Sequence, residues 1–167
     1  MHRLILYLQY MKRVVKKDYK IANYSMNIQQ YTNHDLIVIL GPTASGKTQL
    51  AVQLANELNG EIISADSRQV YRGMDIGTGK DLNEYNINGK KIPYHLIDII
   101  DPNEEYSVFQ FQKDFQVEFI NIQKRKRIPI LCGGTGLYIK AILMNFHLPA
   151  VAPNKILRKK LKDWQLD

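Results

Sequence analysis

The chain of 167 residues has one cysteine, one tryptophan and no apolar run approaching the roughly 20 residues that a membrane-spanning helix requires. With Cys132 alone, an internal disulfide is excluded and a thiolate zinc site is not expected, so the sequence reads as that of a protein kept in a reducing cytoplasm, with no membrane partner. It also lacks internal repeats and low-complexity tracts, which removes fibrous and disordered classes. What is present is ordinary globular material. Hydrophobic residues make up 45% and charged residues 23%, in a chain long enough to bury about two thirds of its unfolded surface as one domain. A monomer is the simplest expectation.

The net charge of +7 invites a nucleic-acid partner, because lysine and arginine displace counterions from phosphates. Its placement weakens that inference. Arg3, Lys12, Arg13, Lys16, Lys17 and Lys20 stand against Asp18 alone in residues 1–25, so five of the seven net charges lie there. A short apolar stretch precedes this basic cluster, the reverse of the order in a secretory signal. The expectation is an extension with little fixed structure ahead of a start at Met26, with a basic amphipathic anchor as the alternative.

From Leu36 the patterning sharpens. LIVIL at 36–40 is a continuous apolar run, as expected for a strand buried on both faces. Residues 49–58 place Leu50, Leu54 and Leu58 at helical spacing, and Asn59-Gly60 closes that helix. EIISA at 61–65 reads as a second strand. Residues 73–88, rich in Gly, Asp and Asn, read as an irregular segment with little core, and YHLIDII at 94–100 as a third strand ended by Asp101-Pro102. Val108, Phe111, Phe115, Phe119 and Ile122 share one face of a helix. IPILC at 128–132 is a further buried strand, with Pro129 at its start, where a missing donor is tolerated. A helix over 137–145 follows the Gly-Gly-Thr-Gly turn. From Pro153 a basic helix carries an apolar stripe of Ile156, Leu157, Leu161 and Trp164.

Strands alternating with helices specify an α/β fold, a mostly parallel sheet with right-handed crossovers. Three segments result: a flexible basic extension over 1–34, an α/β core over 35–150, and the start of a helical segment over 151–167.

GPTASGKT at 41–48 satisfies G-x-x-x-x-G-K-[ST] between an apolar strand and an amphipathic helix, the context that a P-loop needs. Gly41, Thr43, Ala44, Ser45, Gly46, Lys47 and Thr48 are therefore expected to bind a polyphosphate. The glycines let backbone N–H groups converge, the helix N-terminus adds partial positive charge, Lys47 adds a full one, and the Thr48 hydroxyl can ligate Mg2+. The commonest use of such a loop is ATP binding with transfer or hydrolysis of the terminal phosphate. That chemistry wants a second aspartate after an apolar strand. Asp98 and Asp101 are the only candidates, and neither follows a long apolar run.

Asp66 comes directly after EIISA, at the sheet edge that carries the P-loop, where a carboxylate can reach a group beside bound phosphates. An aspartate there also suits a turn. Ser67, Arg68, Gln69, Tyr71 and Arg72 then supply amide, guanidinium and phenol groups fit to stack on and hydrogen-bond an unpaired base, the alternative being a solvated loop.

Three further segments carry a resemblance. ISADSRQVYRGMDIGTGK at 63–80, PYHLIDIIDPNEEYSVFQFQKDF at 93–115 and PILCGGTGLYIKAIL at 129–143 resemble, in order and spacing, the tRNA dimethylallyltransferases, also called tRNA isopentenyltransferases. The likeness runs from about Leu36 to Leu161. It implies a P-loop NTPase-like three-layer fold. The implied reaction moves a dimethylallyl group from dimethylallyl diphosphate to N6 of an adenosine next to the anticodon in tRNA, with Mg2+ as cofactor. The loop would then grip the diphosphate of an isoprenoid, and Asp66 would stand at the family's base position. Thr135 matches the family threonine at the reacting end of the substrate, and doubles as a helix cap in the alternative reading. Asp66, Ser67, Arg68 and Gln69 would lie against the tRNA, whose target base is flipped out of its stack. Arg158 matches an arginine that is a further tRNA contact, against a plain solvated basic face. Residues 124–127 read instead as cations at a helix C-terminus.

Family members continue well beyond this length, so the sequence is expected to be a fragment that keeps the donor site and the base and lacks part of the RNA grip. The alternatives are a small-molecule or nucleoside kinase on the same loop, an adenylate isopentenyltransferase using free AMP, ADP or ATP, and a remnant that binds diphosphate without catalysis.

Overall fold

A strand that is apolar at every position must be covered on both sides. The computed structural model, which describes residues 4–8, 36–148 and 154–161, shows this for LIVIL. Strand β1 (Leu4–Leu8) and strand β2 (Leu36–Leu40) come first, then helix α1 (Lys47–Leu58) and β3 (Gly60–Ser64). A 3-10 turn (Leu82–Tyr85) leads into the short hairpin β4 (Asn86–Ile87) and β5 (Lys90–Lys91), followed by β6 (Tyr94–His95). Helix α2 (Val108–Lys124), β7 (Ile128–Gly133), α3 (Gly136–Leu143) and α4 (Lys155–Leu161) complete the order.

Five strands form one parallel sheet in the order β1-β2-β7-β3-β6. Alternate residues of β2, β3 and β7 point to opposite faces. Ile37, Ile39, Ile62 and Ile130 pack under α1, while Val38, Ile63 and Leu131 pack under α2 and α3 with Phe111, Phe115 and Tyr138. The result is the parallel sheet expected from the alternation of elements, in the three-layer arrangement that the resemblance implies. Helix α2 starts at Val108, where the apolar stripe does, because Ser107 and Gln110 form a reciprocal capping box there.

The strand order positions the site. Because β7 lies between β2 and β3, the turn after β7 sits between the loop after β2 and the residues after β3, all at one carboxyl edge. That closeness depends on Gly133. A Cβ there would stand 2.2 Å from the carbonyl oxygen of Ala65, a backbone atom that cannot swing aside. Gly133→Ala is expected to cost about 1–3 kcal/mol, read as a lower urea midpoint at unchanged slope.

Several expectations are corrected. The strand over 94–100 pairs with β3 only at Tyr94 and His95, because Leu96 (φ 60°) and Asp98 (φ 56°) leave the extended region. Beyond that break the chain bonds to residues 69–72 instead: Asp98 N–H donates to the Gln69 carbonyl, Ile99 N–H to Val70, and Arg72 N–H to Ile100. The segment 73–88 is irregular but does contribute to the interior, since Thr78, Lys80 and Tyr85 are buried. Ahead of the core, Leu4–Leu8 pairs in parallel with β2, and the rest of the 1–34 extension lies outside the described residues. Ile156, Leu157 and Leu161 of α4 are exposed, and Trp164 lies outside the described residues.

The basic run at 124–127 is also more specific than a helix-dipole effect. Glu61, at the start of β3 and 2% exposed, accepts two hydrogen bonds from Arg125 (2.9 and 2.8 Å) and one from Arg127 (3.2 Å). His95 approaches it at 2.6 Å, its other ring nitrogen facing Glu118 at 3.0 Å. Burial by itself would raise the Glu61 carboxyl. The Arg125 and His95 hydrogen bonds outweigh that and hold it at about 2.

Candidate active site

The parallel edge opens into a cleft of about 420 Å³. One wall is the loop over 43–48; the other is Asp66, Arg68, Gln69 and the turn over 77–81. Between β2 and α1, Ala44 (φ 59°) and Gly46 (φ 77°) adopt the left-handed conformation, which curls the loop onto the helix N-terminus. A Cβ at Gly41 would lie 2.9 Å from the Ser45 hydroxyl, which would have to turn aside. That hydroxyl is buried and has no hydrogen-bond partner among the described residues. A buried donor left unpaired in the wall of an anion cradle suits a ligand oxygen. Lys47 rests its ammonium on the Pro42 carbonyl at 3.2 Å.

The turn and the reactive reading of Asp66 coexist. Its Oδ1 accepts from the Arg68 N–H at 2.9 Å, an Asx turn, while the residue lines the cleft. Oδ2 has no protein partner among the described residues. Thr135 fixes the same segment from the other side. Its Oγ1 accepts from the Ser67 N–H at 2.9 Å and lies 3.3 Å from the Ser67 hydroxyl, while its own N–H donates to the Ala65 carbonyl. Thr135 occupies the N-cap position of α3 but its side chain does not cap that helix. The Ser64 hydroxyl donates to Gln69 Oε1 at 3.0 Å, and Gln69 Nε2 donates to the Gly79 carbonyl at 3.2 Å.

The structure therefore brings Thr43, Ala44, Ser45, Gly46, Lys47, Thr48, Asp66, Arg68 and Gln69 to one cleft. It does not bring Gly41, Ser67, Thr135 or Arg158 to the lining. Arg158 is exposed on α4, 3.6 Å from Glu105. Arg72, set among the base-stacking candidates, is committed elsewhere, to Asp101 at 3.0 Å and the Ile99 carbonyl at 2.7 Å. Asp98 pairs with Lys80 and Asp101 with Arg72, so neither candidate second aspartate reaches the loop.

Sequence reasoning missed Lys80, Tyr85 and Cys132 in the lining. Cys132 carried a signal, as the last residue of an apolar extended run, and so did Tyr85, as the one aromatic within the irregular segment over 73–88. Burial raises the Tyr85 phenol and pushes the Cys132 thiol up to about 12, so the thiol is not a nucleophile at neutral pH. Lys80 carried none. Among the described residues no three His, Cys, Asp or Glu side chains group to hold a metal, and no helix is long and apolar enough to cross a membrane.

Comparison with known proteins gives consistent results. The family described as IPP transferase matches residues 69–167, and the one described as Isopentenyl transferase matches residues 34–96. The chain is 61% identical over 142 residues to tRNA dimethylallyltransferase 1 of Azobacteroides pseudotrichonymphae, covering 85% of this chain and 45% of that protein. It is 60% identical over 128 residues to tRNA dimethylallyltransferase 1 of Syntrophus aciditrophicus, covering 77% and 42%. The full-length tRNA isopentenylpyrophosphate transferase of Bacillus halodurans superposes with a TM-score of 0.64 at 48% identity, over 76% of this chain and 41% of that one. A eukaryotic dimethylallyltransferase solved in the act of modifying tRNA gives 0.58 at 32% identity, over 77% and 35%. The chain thus spans less than half the length of the curated relatives it matches.

Proposed function

This chain belongs to the IPP transferase family, and on that premise we propose that it carries the donor site and general base of a tRNA dimethylallyltransferase. The observation that carries the reading is the shared cleft: the Asp66 carboxylate and the phosphate loop line one cavity from opposite walls. An acid beside a phosphate cradle suits a reaction in which diphosphate leaves and a proton must be taken up.

The donor's diphosphate lies on the amides of 43–48 and the Lys47 ammonium, and its oxygen pairs the Ser45 hydroxyl. These groups stabilise the negative charge that grows as the allylic C–O bond breaks. Thr48 would hold Mg2+ through its hydroxyl, as suits an ion that rarely takes an all-protein cage. When bound, the ion supplies further charge neutralisation on the leaving group. The adenine N6 forms its bond to the allylic carbon, and the proton it sheds goes to Asp66, whose second oxygen is available to accept it. Arg68 and Gln69 lie beside the entering base, while Thr135 acts through Ser67, holding the Asp66 turn in place. Arg158 is a contact for the tRNA outside the cleft.

The test supplies labelled dimethylallyl diphosphate, Mg2+ and unmodified tRNA to the full chain, with AMP, ADP and ATP as rival acceptors and a kinase substrate panel with Mg-ATP alongside. Label is expected in tRNA. Phosphoryl transfer without prenylated RNA, or label in mononucleotides alone, would reject the reading. Lys47→Met is expected to weaken dimethylallyl diphosphate binding by roughly 10- to 100-fold in calorimetry, the worth of a charged hydrogen bond to an anion.

A further inference from the structure

Lysine is seldom fully buried, and when it is, each of its three N–H bonds needs an acceptor. Lys80 meets that condition. Its side chain is 1% exposed, and Nζ donates to the Tyr71 carbonyl at 2.9 Å, to Asp75 Oδ1 at 3.0 Å and to Asp98 Oδ1. These acceptors come from three places. Tyr71 follows the Asp66 turn, Asp75 lies in the cleft rim, and Asp98 sits in the left-handed break after β6. One ammonium therefore pins the rim over 75–81 to the 98–100 segment, which itself bonds to residues 69–72. The preceding residue, Gly79, accepts from the side-chain amide of Gln69, whose carbonyl end is held by Ser64.

We propose that Lys80 is a positioning residue for the transfer reaction: by clamping the rim to the 98–100 segment it fixes Gln69 and the wall beside Asp66 opposite the phosphate loop. This rests on the function proposed above. The three hydrogen bonds of Lys80 go to Tyr71, Asp75 and Asp98 and none goes to the loop over 41–48, so its influence falls on the acceptor side of the cleft and spares the grip on the diphosphate. Backbone strain at Leu96 is the counterpart of the clamp, because a bulky residue adopts positive φ only where the surroundings hold it there.

The test compares Lys80→Met and the isosteric Asp98→Asn with the parent in the full chain. Lys80→Met is expected to lower kcat at saturating tRNA by about 100-fold, the cost of displacing a reacting partner by about 1 Å, with the Kd for dimethylallyl diphosphate unmoved. Asp98→Asn keeps the shape and an oxygen that can still accept, and removes only one of the two negative charges that face the ammonium, so it shows the same split with a smaller fall. Unchanged kcat in both variants, or a parallel loss of donor binding and turnover in Asp98→Asn, would overturn the proposal. If the parent itself prenylates no RNA, the functional reading fails separately. The clamp is then decided by amide hydrogen exchange over 77–81, which must quicken in Asp98→Asn relative to 43–58 for it to stand.

Discussion

Asp66→Asn is expected to lower prenyl transfer by about 100- to 10,000-fold, the range for loss of a general base, while calorimetry shows dimethylallyl diphosphate binding as in the parent. Asparagine is the informative replacement. Its side-chain oxygen can still accept from the Arg68 N–H, so the Asx turn survives and only the proton acceptor is lost. Asp66→Ala removes both and is expected to be at least as severe, with some loss of order around Ser67. Retained turnover in Asp66→Asn would leave the residue a turn-former and nothing more. The expected persistence of donor binding follows from geometry, because the loop over 43–48 proposed to cradle the diphosphate lines the cleft apart from the Asp66 turn.

The second large effect concerns stability. Arg125→Met is expected to cost about 3 kcal/mol in chemical unfolding, because it strips two hydrogen bonds from a carboxylate that stays buried. Glu61→Gln should cost less. Arg125 and Arg127 are 44% and 36% exposed, so each recovers hydration once Glu61 is neutral, whereas Glu61 at 2% exposure cannot. Arg127 and His95 remain beside Glu61 in Arg125→Met, which keeps the cost at the low end for a broken buried pair. The pH dependence has a definite sign. Glu61 is held at about 2 against an ordinary 4.5, so its contribution is complete above pH 4.5 and is lost as the pH falls towards 2. Fully expressed, that shift corresponds to about 3 kcal/mol, reduced by solvent screening at the half-exposed arginines. Unfolding midpoints between pH 5 and 2.5 should fall steeply in the parent and more gently in Arg125→Met.

Glu61 also shows where reading a sequence stops. EIISA looked like a strand and proved to be one, but nothing in a run beginning with glutamate says that the carboxylate will be buried. Its partners lie 34, 64 and 66 residues away. The run at 124–127 was read as local dipole compensation because local spacing offers no other partner. The 94–100 segment failed for the same reason. Its apolar residues favour extension, but Lys80 and the backbone of 69–72 compete for that chain and break it after His95.

By itself the sequence determined the parallel α/β architecture, the phosphate loop and the place of Asp66 at the sheet edge. These rest on patterns within some ten residues: a continuous apolar run, a glycine-spaced turn, a helical repeat. The tertiary structure decided which side chains share the cleft. Inserting β7 between β2 and β3 set the Gly-Gly-Thr-Gly turn between the loop and Asp66 and directed Thr135 to Ser67, while the break after β6 brought Asp98 to Lys80. Those contacts join residues far apart in the chain, and their geometry follows from the packing of the sheet, which no local pattern encodes.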